Sequence, residues 1–123
     1  MSKSEILKLF AEPVFRYKIK NFNTLNEELS NYIYDLHKKD NEGIERSNRG
    51  GWHSKNFNLN EADTVQQKFA IEVQKYILDT FVNLGWKTKD TSIQIKEMWA
   101  IINKKDDFNV IHTHPNCYLS AAY

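Results

Sequence analysis

The residues in this sequence best suited to chemistry are two histidines one position apart, His112 and His114, near its end. They lie in a stretch, Phe108–Tyr123, whose apolar residues alternate as in a strand. Side chains two apart in a strand point to the same face. Phe108, Val110, His112 and His114 are therefore expected on one face, two apolar neighbours leading into two imidazoles. Neutral imidazole ligates iron, zinc and copper, so the pair is a candidate half of a metal site. The simpler reading is a pair of polar residues at the rim of a sheet. Pro115-Asn116 predicts a turn, after which Cys117, Leu119, Ala121 and Tyr123 alternate with Tyr118, Ser120 and Ala122. Nucleophilic chemistry has little support: Cys117 and His114 are separated by that turn, and a lone cysteine is more often inert. Asp106-Asp107 read as turn residues, not as an acid–base pair.

A second stretch with the look of a site is the polar segment from Asp40 to Leu59, which contains Ser47-Asn-Arg-Gly-Gly-Trp-His-Ser54. A loop of that length is either mobile or functional. Paired glycines let the backbone approach another group closely, and Trp52 directly after them is a costly residue to leave in water. Two readings stay open: a functional loop, or a glycine turn with Trp52 packed beneath it.

Positioning these residues requires a framework, and the rest of the chain supplies the pattern for one. The 123 residues make a single domain, with 41% hydrophobic and 27% charged residues, ordinary values for a soluble globular protein. The formal net charge of +1 disfavours a nucleic-acid or anionic-membrane partner. One cysteine excludes an internal disulfide. With neither a spanning run nor a signal-peptide pattern, the expected location is the cytoplasm.

From Val14 to Lys20, Phe15, Tyr17 and Ile19 alternate with basic residues and predict a strand, after a short helical lead-in from Ser4 to Pro13. Thr24-Leu-Asn-Glu27 matches a capping box, and Leu25, Leu29, Tyr32, Ile33 and Leu36 follow at helical spacing. A helix is predicted from about Leu25 to Lys38. Asn60 is the expected N-cap of a second helix, whose stripe runs Ala62, Val65, Phe69, Val73, Tyr76, Ile77, Phe81 and Leu84. Gly85 stands where a left-handed C-terminal cap belongs. From Ser92 to Ile102 a further strand is expected, joined to the histidine strand by a turn at Lys104–Asp107. Strands linked by short turns imply an antiparallel sheet.

The order Leu9-Phe10-Ala-Glu-Pro13-Val14, Ser47–Ser54, Trp99-Ala-Ile-Ile-Asn103, Phe108-Asn109, His112-Thr-His114-Pro115 and Leu119-Ser120 resembles the 2-oxoglutarate- and Fe(II)-dependent oxygenases of bacteria and phages. The resemblance runs over nearly the whole chain, and its specific parts are the glycine loop and the histidine segment. It implies an α+β fold: a partial double-stranded β-helix, a jelly-roll-like barrel of antiparallel strands, with two N-terminal helices packed on it. Residues 1–123 would be the N-terminal part of that oxygenase domain. The implied function is an oxidoreductase, a dioxygenase that uses Fe(II) and the cosubstrate 2-oxoglutarate to hydroxylate a substrate. His112 and His114 fall on the metal segment, with Trp99, Asn103, Asn109, Ser120 and Trp52 lining or bracing the site.

Two departures qualify that reading. The superfamily's first ligand pair is histidine-x-carboxylate, within a two-histidine, one-carboxylate triad; His114 occupies the carboxylate's place. No residue matches the distal histidine or the basic residue that pairs with 2-oxoglutarate, since His37, His53, Arg16, Arg46 and Arg49 all precede the metal segment. The expectation is a chain truncated in mid-strand, whose unpaired edges favour self-association. The alternatives are a non-catalytic remnant or interaction module of the same fold, and a cupin-like metal protein. Against the cupin, nothing acidic follows His114.

Overall fold

The apolar stripe beginning at Val65 folds as the longer of two helices in a computed structural model, which describes residues 11–20 and 22–123. Helix α1 spans Phe22–Lys39 and helix α2 spans Val65–Asn83. The two are in contact, and Leu29 of α1 and Phe69, Ala70 and Phe81 of α2 are buried. Basic residues His37, Lys38 and Lys39 close the last turn of α1, where they favourably meet the helix dipole.

The end of α2 is a Schellman motif. Trp86 N–H donates to Phe81 C=O at 3.0 Å and Gly85 N–H to Val82 C=O at 2.9 Å, with Gly85 at φ +81°. The Phe81 and Trp86 rings meet edge-on at 5.1 Å, the apolar contact that accompanies this motif. The beginning differs from expectation. Asn60 does not cap α2; Thr64 occupies the N-cap position, and its hydroxyl donates to Glu61 C=O instead of accepting a helix amide. The intervening residues form local turns, with Asn58 Oδ1 accepting from Asn60 N–H and Asp63 at φ +62°. Side chains that bind nearby backbone compete with helix in this way. Gln67 Oε1 accepts from Asp63 N–H at 3.0 Å, tying the first turn of the helix to the residue before Thr64. In α1 the predicted box lies inside the helix, since Thr24 is two residues past Phe22.

The expected strand over 14–20 is absent. Residues 14–18 are exposed and pair with no strand, and Val14 is 91% exposed. Tyr17 fastens this segment to α2, donating to Asp79 Oδ2 at 2.8 Å and packing tilted against Tyr76 with ring centroids 5.1 Å apart. The segment therefore follows a helix instead of a sheet. Of the lead-in expected to be helical, residues 4–10 lie outside the described residues.

Among the described residues there are four short strands: β1 (Asn48–Arg49), β2 (Trp52–His53), β3 (Ile101–Ile102) and β4 (Phe108–Asn109). They pair antiparallel as β1 with β4 and β2 with β3, in the registers Asn48↔Asn109 and Trp52↔Ile102. Further amides extend both ladders: Ser54 N–H to Ala100 C=O, Phe57 N–H to Met98 C=O and Val110 N–H to Ser47 C=O. Segment 47–57 is thus a common partner for 98–102 and 108–110.

This corrects the fold expected from the resemblance. The described residues form two helices and two small two-stranded sheets, not a double-stranded β-helix or jelly-roll barrel. The physical reason lies in the terminal segment. A strand needs a neighbour for its backbone amides and carbonyls, and residues 111–123 pair with none among the described residues. Ile111 is wholly exposed, and the segment is held instead by single side chains, Tyr118 meeting the Trp86 ring at 5.0 Å and Tyr123 the Phe69 ring at 4.9 Å.

Candidate functional site

The glycine loop and the histidine segment meet. Gly50 and Gly51 have φ of +70° and +63°, and a Cβ on either would overlap its neighbour: the Asp107 carboxylate at Gly50, Asn103 Oδ1 and the Ile102 carbonyl at Gly51. Only glycine lets segment 47–57 cross so closely over the 103–107 turn. That crossing puts Ser47 beside Asn109 and His112, and His53 beside Trp99.

His112 leaves β4 by a short extension, and its ring turns back so that Nδ1 lies 2.7 Å from the Val110 carbonyl. An imidazole whose Nδ1 donates to a carbonyl presents a lone pair at Nε2, the arrangement typical of metal-bound histidine. His112 Nε2 lies 3.2 Å from His114 Nε2, and the rings meet edge-on at 4.8 Å. Two neutral nitrogens hold that distance by sharing either a proton or a cation. Two metal–nitrogen bonds of about 2.0–2.1 Å would span it at an angle of roughly 100°, between octahedral and tetrahedral values. The pair therefore fits a divalent metal. Among the described residues no third histidine, cysteine, aspartate or glutamate joins it.

Trp99 supports the pair from the sheet. Its ring lies 5.6 Å from His114 and stacks on His53 at 5.5 Å with a 14° interplanar angle. His53 is buried, its Nδ1 2.6 Å from the Ser54 carbonyl. Ser54 Oγ in turn accepts from Ala100 N–H at 2.9 Å, fixing the backbone beside Trp99. On the other side of the pair, Asn109 Nδ2 donates to Ser47 Oγ at 2.9 Å, and Ser47 Oγ lies 3.5 Å from His112 Nε2.

The residues expected to line a site thus divide. Trp99 and Asn109 belong to the imidazole cluster. Asn103 lies at the turn against Gly51, and Ser120 is exposed on the terminal segment. Trp52 resolves the two readings of its loop towards packing. It is buried, donates from Nε1 to the Asp40 carbonyl at 2.7 Å and meets His37 edge-on at 5.2 Å. Asp40 makes that corner a junction, its carboxylate accepting from Gly43 N–H at 3.2 Å and pairing with Lys55 at 3.0 Å. The lysine and the amide together hold the Asp40 carboxyl below the usual carboxylate range.

Sequence reasoning missed Ser47 and the Val110 carbonyl as parts of the cluster. The serine was readable only as the start of the glycine loop, and a carbonyl leaves no signal in side-chain type. A groove of 580 Å³ runs between α1, residues 17–19 and Tyr123, and none of its lining residues belongs to the imidazole cluster. No helix among the described residues is long and apolar enough to cross a membrane. Comparison of the chain with known protein families, characterised proteins and solved structures finds no match.

Proposed function

We propose that the chain carries an Fe(II) site of a 2-oxoglutarate-dependent dioxygenase, with His112 and His114 as its imidazole ligands. The observation that supports this most directly is the convergence of the two Nε2 atoms at 3.2 Å, with the His112 ring set by Val110. Ferrous iron, when bound, supplies activation of dioxygen coupled to decarboxylation of 2-oxoglutarate. The chain's own residues hold and orient. Val110 C=O fixes the tautomer of His112, Trp99 packs against the His114 ring, and the glycine crossing brings Ser47 to the same place. Further ligands come from groups beyond the pair, since none is present among the described residues. The reading places the protein in the cytoplasm, with self-association through its unpaired strand edges.

That absent third ligand favours a second reading, a non-catalytic interaction module that keeps the imidazole pair. An anaerobic Fe(II) titration followed by 2-oxoglutarate separates the two. The expected result is a visible charge-transfer band that disappears in His112→Ala while helix content stays the same. Iron uptake without a band on adding 2-oxoglutarate supports the module. Stoichiometric iron retained in His112→Ala removes His112 as a ligand.

A further inference from the structure

The later part of α1 and the segment that begins at β2 enclose a small pocket of about 130 Å³, lined by neither His112 nor His114. Its apolar lining is Leu36 with the rings of Tyr32, Trp52 and Phe57. The Tyr32 and Phe57 rings stand at 72° to one another with centroids 5.4 Å apart, so they form a corner and not a stack. Trp52 is fixed in place: its Nε1–H donates to the Asp40 carbonyl, and a Cβ on Gly43, at φ +64°, would overlap the indole. Asp40 and Lys55 supply charge to the same lining, with Lys55 Nζ 3.0 Å from Asp40 Oδ2.

Aromatic rings attract cations through the negative potential over their faces, and the charges around this pocket have the matching sign. The Lys55 ammonium and the Gly43 amide keep the Asp40 carboxyl ionised below the usual range. Burial, with the Glu61 carboxylate adding to it, raises the Tyr32 phenol and keeps it neutral. Two carboxylates thus act on the pocket against one ammonium among the described residues, a balance that disfavours an anion. Two N–H donors that an anion could use, those of Trp52 Nε1 and Gly43, are already spent on Asp40. Lys55 shows what the acidic corner accepts. Its side chain is 74% exposed, so its ion pair with Asp40 is a weak one that an incoming cation can replace.

From this arrangement we infer that the pocket binds a methylated ammonium group, with Tyr32, Phe57 and Trp52 beside its methyls and Asp40 as its counter-ion. Methylation is the specific part. A methylated ammonium is weakly hydrated and has apolar surface to bury against the rings, whereas a plain ammonium, such as that of Lys55, keeps its water. Lys55 is therefore a built-in competitor for the ligand. The inference goes beyond the iron reading and does not depend on it.

Calorimetric titration of the metal-free chain with tetramethylammonium chloride, against a sodium chloride blank, tests this. Saturable binding is expected, about tenfold tighter than that of ammonium chloride. Tyr32→Leu, which keeps an apolar wall without a ring, lowers the affinity about fivefold, and Asp40→Asn lowers it about threefold. Lys55→Met decides most: it removes the competitor and raises the affinity about threefold, whereas general damage to the fold could only lower it. Circular dichroism with unchanged helix content accompanies each variant. A peptide carrying trimethyllysine separates the sources of the group: tighter binding than tetramethylammonium assigns a side chain of a partner protein, equal binding a free cation. Cobalt(II), a probe of the imidazole pair through its visible absorption, leaves the tetramethylammonium affinity unchanged. The inference is overturned by the absence of saturable binding to the wild-type chain, or by equal affinity for ammonium. An unchanged or weaker affinity in Lys55→Met overturns it as well, as does binding of acetate in place of the cation or a dependence on cobalt.

Discussion

The end of α2 and the glycine loop that crosses the 103–107 turn are built on opposite principles. Each contains a glycine in the left-handed region, Gly85 at φ +81° and Gly51 at φ +63°. Around Gly85 the hydrogen-bond partners are near in sequence, the carbonyls of Phe81 and Val82, and the Trp86 ring folds back on Phe81. A Cβ there would meet nothing within 4 Å. At Gly51 the neighbours come from fifty residues downstream, and a Cβ would collide with Ile102 and Asn103. The same backbone conformation closes a helix in one place and brings two distant segments together in the other. Conformation alone therefore does not tell how much depends on a glycine; its surroundings do.

The comparison can be broken first at the apolar contact that supports the helix end. Phe81→Ala removes a buried ring and should destabilise the fold by about 3 kcal/mol, read from the urea midpoint. If the imidazole site is independent of α2, cobalt affinity of the folded fraction will not change. Gly51→Ala comes next, with an expected cost of about 2 kcal/mol from strain and overlap together. Unlike Phe81→Ala it should also weaken cobalt binding, because it separates the glycine loop from the 103–107 turn. Gly85→Ala carries the backbone penalty alone, about 1 kcal/mol, and leaves metal binding intact. Equal effects of the two glycine substitutions would remove the contrast.

The smallest effect concerns acid. The Asp40 carboxyl titrates lower in the folded protein than in the unfolded chain, where it is near 3.9. Its stabilisation is therefore complete above that unfolded value and is lost as pH falls through the lower folded value. Asp40→Asn should flatten the acid limb of a Trp52 fluorescence profile slightly and leave neutral pH almost unchanged, as suits an exposed carboxylate. A large loss at pH 7 would mean that this junction carries more than its exposure suggests.

What could be read in advance follows the same division. The stripe from Val65 to Leu84 and the cap at Gly85 were legible because their partners lie within a few positions. The start of α2 was misread at Asn60, since the side chains between Asn58 and Thr64 bind local backbone and delay the helix. The alternation in Val14–Lys20 and Ser92–Tyr123 signalled strands, yet strand forms there only at Ile101–Ile102 and Phe108–Asn109, because alternation does not say where a partner strand will be. For the site, His112, His114, Trp99 and Asn109 were nameable from residue type and order. Ser47 and the Val110 carbonyl entered only through the pairing of β1 with β4, which no local pattern encodes.

The register Trp52↔Ile102 encloses all of α2 in one chain loop. Closing such a loop costs entropy that local contacts do not incur, and pairings distant in sequence form late. The helix can assemble as soon as its own residues are available, whereas segment 47–57 must wait until residue 110 has been synthesised. The meeting of Ser47 with Asn109 and His112 is therefore expected to be among the last contacts this chain makes as it folds.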